Sequence, residues 1–207
     1  MRCCYTGLEI RIWRWAVADR ELIHRLIAST GALYENGHYR YSSALHGPVY
    51  VEKDRVLANV DVSSKLCYRI AKHFFSQRIE VVTGPSMGGA MMAPFVAYYL
   101  EPKALAVYAE GERENRYFRP SVADMITGKR VLVVEDVLDT GGSALRVIEA
   151  VERQGGEVVG LASIWNRGNV SFKYPLFCLV EHETYEPGEC PICKQGKLPV
   201  ENVPLPK

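Results

Sequence analysis

The chain has 207 residues, of which 48% are hydrophobic and 24% are charged, and its formal net charge is +1. This length suits one large domain, or one domain with a subdomain. Because a nearly neutral chain has no overall field to hold a polyanion, nucleic acid is not expected as its main partner. No apolar run approaches the roughly 18 residues of a membrane span, and no charged leader with an apolar core begins the chain. We therefore expect a cytoplasmic protein without a membrane partner.

Apolar spacing along the chain predicts alternating helices and strands. Residues 1–17 fit either an edge strand or a helix start. We expect helices that begin at Asp19 and Asp61, a hairpin over residues 37–53, and helices over residues 91–100 and Ala144–Arg153. The expected strands are Ile79–Thr83, Ala104–Tyr108, Val131–Glu135, Val158–Trp165 and Leu176–Val180. This alternation predicts an α/β fold with a parallel sheet and right-handed crossovers.

The segment Val131–Ser143, V-L-V-V-E-D-V-L-D-T-G-G-S, carries the strongest functional signal. An apolar run leads into two adjacent carboxylates, Glu135 and Asp136, and then into a glycine turn that opens a helix. Backbone N–H groups of such a turn and the positive end of the helix bind anions. Two carboxylates side by side suit two neighbouring hydroxyls or a hydrated divalent cation. A ligand with a phosphate and a vicinal diol is a ribose 5-phosphate.

Residues 135–143 resemble the phosphoribosyl-pyrophosphate (PRPP) signature of the type I phosphoribosyltransferases. The resemblance implies that family's parallel-sheet α/β fold, with helices on both faces and a small N-terminal hood. It assigns Glu135 and Asp136 to the ribose hydroxyls and, with Asp139, to catalysis. The expected 5-phosphate turn consists of Asp139, Thr140, Gly141, Gly142 and Ser143. The resemblance also implies a homodimer and Mg²⁺, which substrate oxygens and water would mostly hold.

Three parts of the chain follow from this resemblance. Residues 1–58 are expected to form an N-terminal segment and hood, residues 59–185 the PRPP-binding α/β core, and residues 186–207 a tail with a C-x-x-C motif.

Two further segments are assigned to the pyrophosphate. The glycine turn 84–90 would let the backbone approach it closely, and its expected ligands are Ser86, Gly88 and Gly89. The polar stretch 110–130 resembles the flexible loop that closes over the reaction centre in this family, and Arg113 is its expected ligand. A solvated, charged hairpin is the alternative for this stretch, which has no lysine between Tyr108 and Thr127.

Three features resemble the orotate phosphoribosyltransferases: the segment Ser43–Tyr50, the glycine turn, and Arg167 just after a predicted strand. Orotate carries a carboxylate, for which a fork-shaped guanidinium is a natural partner. The resemblance assigns the base to Arg167, Ser43 and Ala44. It implies transfer of the phosphoribosyl group from PRPP to orotate, which gives orotidine 5'-phosphate and pyrophosphate.

Other positions depart from the orotate pattern S-G-x-x-S-P-x-Y. Ala44 and Gly47 replace its glycine and second serine, and Asp139 stands where orotate enzymes commonly have threonine. An aspartate there resembles purine salvage enzymes, in which it accepts a proton from the base. At about 4 Å and an effective dielectric near 20, it would repel orotate by roughly 4 kcal/mol. Two alternatives therefore stay open: a purine-base phosphoribosyltransferase, and a PRPP-binding regulatory module without catalysis.

The six cysteines do not indicate a disulfide scaffold in a chain of this length. Cys67 and Cys178 have apolar neighbours and are expected in the core. Cys190 and Cys193 supply two of the four ligands that a structural zinc needs. The candidates to complete such a site are Cys3 and Cys4, or His182. We expect free thiols on the tail, with zinc as the alternative.

Overall fold

The computed structural model describes residues 17–85, 87–111, 115–168 and 170–203. In chain order its elements are α1 (Val17–Ala28), β1 (Leu33–Tyr34), β2 (Tyr39–Arg40), β3 (His46–Gly47), β4 (Tyr50–Val51), α2 (Lys53–Ala58), α3 (Val60–His73), a 3₁₀ turn (Phe75–Gln77), β5 (Val81–Pro85), α4 (Gly88–Tyr99), β6 (Leu105–Ala109), α5 (Pro120–Ala123), β7 (Arg130–Leu138), α6 (Gly142–Arg153), β8 (Glu157–Asn166), β9 (Leu176–Glu181), α7 (Pro191–Gln195) and β10 (Glu201–Asn202).

The predicted parallel sheet is confirmed. Its five strands run in the order β6-β5-β7-β8-β9, and every neighbouring pair is parallel. From β5 the chain first adds β6 on one side and then returns to place β7 on the other side. Ligands of such sheets bind where the order reverses, beyond the carboxyl ends of the strands. The loops after β5 and β7 leave the sheet at this point.

The apolar run at the start of β7 explains its central position. Val131 and Val133 pack in the core cluster that includes α6, whereas Leu132 and Val134 pack in the cluster that includes α3 and α4. Alternate side chains of a strand point to opposite faces, so a run that is apolar at every position suits a sheet covered on both sides. Cys67 and Cys178 are fully buried, as predicted.

Most element bounds differ from the prediction by one to three residues, and short helices were not predicted. Strand β7 continues beyond Glu135 to Leu138, so the acid pair lies within the strand. Helix α3 begins at Val60, because the side chain of Asn59 accepts a hydrogen bond from the Val62 N–H and caps it. Helix α2 was not predicted, since six residues are too few to show an apolar period.

The N-terminal region contains the predicted hairpin, and the tail adds to it. Strands β2 and β3 are antiparallel, with Tyr39 opposite Gly47, and β10 pairs in parallel with β2. The tail is therefore hydrogen-bonded to the hood, while the domain boundaries at residues 58 and 185 stay a prediction. Residues 1–16 lie outside the described part of the chain. None of the described helices has the length and apolar character that crossing a bilayer requires.

Candidate active site

The acid pair lies near the carboxyl end of β7. Glu135 and Asp136 are only 6% and 4% exposed. The Asp136 Oδ1 atom accepts a hydrogen bond from the Val137 N–H at 2.7 Å, and Glu135 Oε1 accepts one from the Asp136 N–H at 3.1 Å. Burial, and then the charge of Asp136, raises the pKa of Glu135 well above its usual range. Two buried carboxyl groups thus meet at the edge where a ligand of this sheet is expected.

Lys53 is a site residue that the sequence analysis missed. It begins α2, and its Nζ lies 2.8 Å from Asp136 Oδ2. Burial lowers the pKa of Lys53, but the charge of Asp136 and the hydrogen bond to it outweigh burial, so the pKa is raised. The available signal was a lysine directly after the hairpin that was expected to cover the base.

The turn expected to bind the 5-phosphate forms the N-terminus of α6. Gly141 has φ 73° and precedes the first helical residue, Gly142, whose N–H lies 3.4 Å from Thr140 Oγ1. A β-carbon on Gly141 would also lie 2.8 Å from the ring of Phe172, so glycine is required there for two reasons. Thr140, Gly142 and Ser143 are exposed. Helix α6 is twelve residues long, and its exposed N-terminus suits the binding of an anion.

The glycine turn after β5 packs directly on the end of β7. A β-carbon on Gly84 or Gly89 would lie 2.3 Å or 2.5 Å from the carbonyl oxygen of Val134. One on Gly88 would lie 2.1 Å from Asp136 Oδ2. These glycines therefore bring the start of α4 onto the acid pair, in addition to the role expected for them at the pyrophosphate. Ser86 lies outside the described residues.

Asp139 is held by three donors from distant parts of the chain. Ser43 Oγ donates to its Oδ1 at 2.7 Å, and Ser42 Oγ donates to its Oδ2 at 2.9 Å. Arg167 Nη2 donates to the same Oδ2 at 3.3 Å. Burial raises the pKa of Asp139, but the charge of Arg167 and the hydrogen bonds from Ser43 and Ser42 outweigh it and lower the pKa. The carboxylate is ionised, and its charge is balanced by Arg167.

Arg167 is positioned by two further contacts. Its backbone N–H donates to the carbonyl oxygen of Leu138 at 3.0 Å, and its guanidinium carbon lies 4.6 Å from the centre of the Tyr41 ring. Within the described part of the chain, the buried Arg167 Nε has no hydrogen-bond partner. A buried donor without a partner is uncommon in folded proteins.

Ala44 keeps the turn for which the orotate pattern uses glycine. Its φ is 69°, in the left-handed region, and its N–H donates to the Tyr41 carbonyl at 2.9 Å. An alanine in this conformation costs about 1 kcal/mol or more. The hairpin turn thus has a left-handed residue at this position and places Ser42 and Ser43 at Asp139.

The polar stretch after β6 contains a short hairpin. Glu110 and Tyr117 exchange backbone hydrogen bonds of 2.8 and 3.0 Å. Arg119 Nε lies 2.6 Å from Glu110 Oε1, and Arg116 Nη1 donates to the Gly111 carbonyl. Both arginines therefore contact the loop itself. Arg113, the residue assigned to pyrophosphate, lies outside the described residues.

Comparison with known proteins places the chain in a family. A family model described as phosphoribosyl transferase domain matches residues 55–173. The orotate phosphoribosyltransferase of Desulforamulus reducens is 37% identical over 182 residues, which cover 86% of this chain and 93% of that protein. The Thermotoga maritima orotate phosphoribosyltransferase is 37% identical over 185 residues, with 87% and 96% covered. The chain belongs to the orotate phosphoribosyltransferase family.

Solved structures share the fold of this orotate phosphoribosyltransferase family member. Mycobacterium tuberculosis orotate phosphoribosyltransferase gives TM-scores of 0.61 in complex with inorganic phosphate and 0.56 with PRPP, at 22% identity over 80% of this chain and 90% of that one. Adenine phosphoribosyltransferase from Rhodothermus marinus gives 0.57 at 21% identity, with 80% and 99% covered. Since orotate and adenine enzymes match alike, the likeness of structure shows the fold, and the sequence identity shows the family.

The cysteine pair of this family member has neighbours other than those predicted. Cys190 and Cys193 lie beside His38 and His46. His182 instead stacks on Trp165, with ring centres 4.5 Å apart, and burial lowers its pKa to about 4. His182 directly follows β9, the edge strand of the main sheet, and is not part of the cluster. Cys3 and Cys4 lie outside the described residues.

Proposed function

We propose that this chain transfers the phosphoribosyl group of PRPP to orotate, giving orotidine 5'-phosphate and pyrophosphate. The observation that carries the proposal is the position of Arg167. Its guanidinium lies at the same sheet edge as the acid pair and the phosphate turn, against Asp139 and the Tyr41 ring. A planar anionic base has a natural partner there.

The acid pair and the α6 turn are proposed to bind the ribose 5-phosphate part of PRPP. Glu135 and Asp136 accept hydrogen bonds from the ribose 2- and 3-hydroxyls, and the N–H groups of Thr140, Gly141, Gly142 and Ser143 bind the phosphate. With the sugar held at both ends, C1 faces the base, the C1–O bond to pyrophosphate breaks, and a bond from the base nitrogen to C1 forms. The proton of that nitrogen passes to the departing pyrophosphate. The residues contribute by positioning and by stabilising charge, since this transfer needs no protein nucleophile.

Magnesium fits the same acid pair. The two carboxyl groups provide oxygen ligands, which Mg²⁺ prefers, and a cation bound there would oppose the burial and the Asp136 charge that raise the pKa of Glu135. Glu135 and Asp136, together with substrate oxygens, would hold the ion. When bound, Mg²⁺ neutralises charge on the leaving pyrophosphate. Lys53 supplies a fixed positive charge at Asp136 and is proposed to orient this carboxylate toward the ribose.

The environment of Asp139 supports orotate over a purine base. A purine enzyme would use this carboxylate as a proton acceptor, but both of its oxygens already accept hydrogen bonds and its pKa is lowered. Its charge is balanced by Arg167, so its repulsion of an anionic base is reduced. We propose that Asp139 positions Arg167 and the hood turn, and that this positioning replaces the catalytic role first assigned to it.

A homodimer and a cytoplasmic location are also proposed, on family resemblance.

A substrate comparison tests the proposal. The purified protein is incubated with PRPP and Mg²⁺ and with orotate, adenine, hypoxanthine or guanine, while pyrophosphate release and base absorbance are followed. We expect kcat/KM for orotate to exceed that for each purine by at least about 100-fold, because a site with a largely desolvated guanidinium discriminates strongly against a base without a carboxylate. A higher kcat/KM for one of the purines would mean that the protein is a purine-base phosphoribosyltransferase. If calorimetry detects PRPP binding but no base causes PRPP to release pyrophosphate, the protein is the regulatory module instead.

A further inference from the structure

Four metal-binding side chains meet where the tail contacts the hood. His38 precedes β2, His46 begins β3, and Cys190 and Cys193 flank the first turn of α7. One ligand atom from each lies within 4.8 Å of all the others. His38, His46 and Cys190 are buried and Cys193 is partly buried. The two pairs come from opposite ends of the chain, and His38 and Cys190 are 152 positions apart.

The separations of these atoms match a tetrahedral zinc ion. Zinc bonds of about 2.0 Å to nitrogen and about 2.3 Å to sulfur imply ligand separations of about 3.3 Å for N···N and about 3.5 Å for N···S. His38 Nε2 lies 3.0 Å from His46 Nδ1. Cys193 Sγ lies 3.3 Å from each of these nitrogens, and Cys190 Sγ lies 3.6 Å from His38 Nε2. One ion at the centre would reach all four atoms with small adjustments.

The surroundings of His38 favour a metal over a simple hydrogen-bonded cluster. His38 Nδ1 lies 3.2 Å from the carbonyl oxygen of Leu198, which can only accept a hydrogen bond, so Nδ1 carries the proton. The Nε2 atom then presents a lone pair to the cluster. A bond from the far ring nitrogen to a backbone carbonyl is the usual second contact of a histidine that binds a metal. Leu198 belongs to the tail, so this contact also joins the two regions.

Charge balance supports the same ion. Two thiolates and two neutral imidazoles bring a charge of −2 into a mostly buried position, and Zn²⁺ cancels it. Four protein ligands leave no open position, which is typical of structural rather than catalytic zinc. A set of two sulfur and two nitrogen ligands selects zinc over magnesium, which prefers oxygen.

We infer that His38, His46, Cys190 and Cys193 bind one structural Zn²⁺ that fastens the C-terminal tail to the hood hairpin. The backbone already prepares this join, because β10 pairs with β2 and His46 exchanges backbone hydrogen bonds with Tyr185 at 2.8 and 2.9 Å. The ion holds the base of the hairpin whose turn carries Ser42 and Ser43 to Asp139. It is separate from the magnesium proposed at Glu135 and Asp136.

Metal analysis of the purified full chain tests this inference. We expect about one zinc per chain after purification in zinc-supplemented medium, as a closed four-ligand site implies. Cys193→Ser and His38→Gln should each lose the bound zinc. The matched controls are Cys67→Ala, which removes a buried thiol outside the cluster, and His24→Gln, which removes an exposed imidazole. Both controls should keep it. Absence of stoichiometric zinc in the unaltered chain, or its retention in Cys193→Ser, would overturn the inference.

A second measurement uses the unaltered chain, because a variant that fails to fold also loses its metal. Zinc is removed with a chelator and replaced by Co²⁺. We expect the d–d absorption of tetrahedral cobalt together with a thiolate-to-cobalt charge-transfer band. Removal of the metal should increase hydrogen exchange in residues 38–47 and 185–203 and leave β7 and β8 protected, and added zinc should restore the protection. A spectrum without thiolate bands, or exchange that does not respond to zinc, contradicts the site.

Discussion

Arg167 Nη2 lies 3.3 Å from Asp139 Oδ2, and the two side chains are only 15% and 18% exposed. The pair joins the loops that follow β7 and β8, and through Ser42 and Ser43 it also holds the hood turn. The residue that raised doubt about the base is thus the partner of the residue expected to recognise it.

Arg167→Ala should lower kcat/KM for orotate by at least about 100-fold, since loss of a charge-assisted contact to a carboxylate costs about 3 kcal/mol. The Kd for PRPP, measured by calorimetry, should change little. Arg167→Lys should recover only a small part of the loss, because an ammonium lacks the fork geometry. Arg146→Ala, which removes an arginine paired with Glu149 on the surface, is the control.

The double variant Arg167→Ala with Asp139→Asn separates two causes of that loss. If Arg167 contacts the base, the double variant stays inactive with orotate. Recovery of orotate turnover would instead mean that Arg167 acts only by cancelling the charge of Asp139, and the direct role would be wrong.

Asp139 should contribute stability that depends on pH. Because its pKa is lowered in the folded state, this contribution is complete above the unfolded-state pKa of about 3.9 and is lost as the pH falls through the lower folded pKa. The Tm of the unaltered chain should therefore exceed that of Asp139→Asn by a constant amount above about pH 5, with the difference narrowing below about pH 4. A difference that widens on acidification would show that the folded-state pKa is raised.

Lys53→Met should destabilise the protein more than Lys65→Met does. Both lysines are about half exposed and paired, but the Asp136 side chain is 5% exposed and the Asp61 side chain 71%. Removal of Lys53 leaves a buried carboxylate without its cation, so we expect a loss of about 1–3 kcal/mol in urea unfolding, against less than about 0.5 kcal/mol for the surface pair. PRPP affinity should fall with Lys53→Met only. If the two substitutions change stability and PRPP affinity equally, Lys53 has no special role at the site.

Gly88→Ala should weaken PRPP binding by about tenfold or more, because the new β-carbon would lie 2.1 Å from Asp136 Oδ2 and displace that carboxylate. Gly188→Ala is the matched control, since a β-carbon there has no neighbour within 4 Å among the described residues. Calorimetry with PRPP and Mg²⁺ measures both. Normal affinity in Gly88→Ala would mean that Asp136 does not contact the ribose.

The sequence by itself determined the features whose signals are local. The fully apolar start of β7 predicted a strand buried on both faces, because such a run cannot alternate between core and solvent. The adjacent acids and the T-G-G-S turn predicted a ribose phosphate site, since its candidate residues are contiguous. Parallel strands bring their carboxyl ends to one edge, so the position of Arg167 near this site also followed from the order of elements.

Only the tertiary structure decided which of these side chains contact one another. Asp139 and Arg167 are 28 residues apart, Lys53 and Asp136 are 83 apart, and His38 and Cys190 are 152 apart. No spacing or period in a sequence encodes such pairs, because they depend on how the hood hairpin and the tail pack on the finished sheet. For that reason the sequence predicted that Asp139 would repel orotate, and it named Cys3 and Cys4, or His182, as partners of the cysteine pair. Packing instead places Arg167 beside Asp139, and His38 and His46 beside the two cysteines.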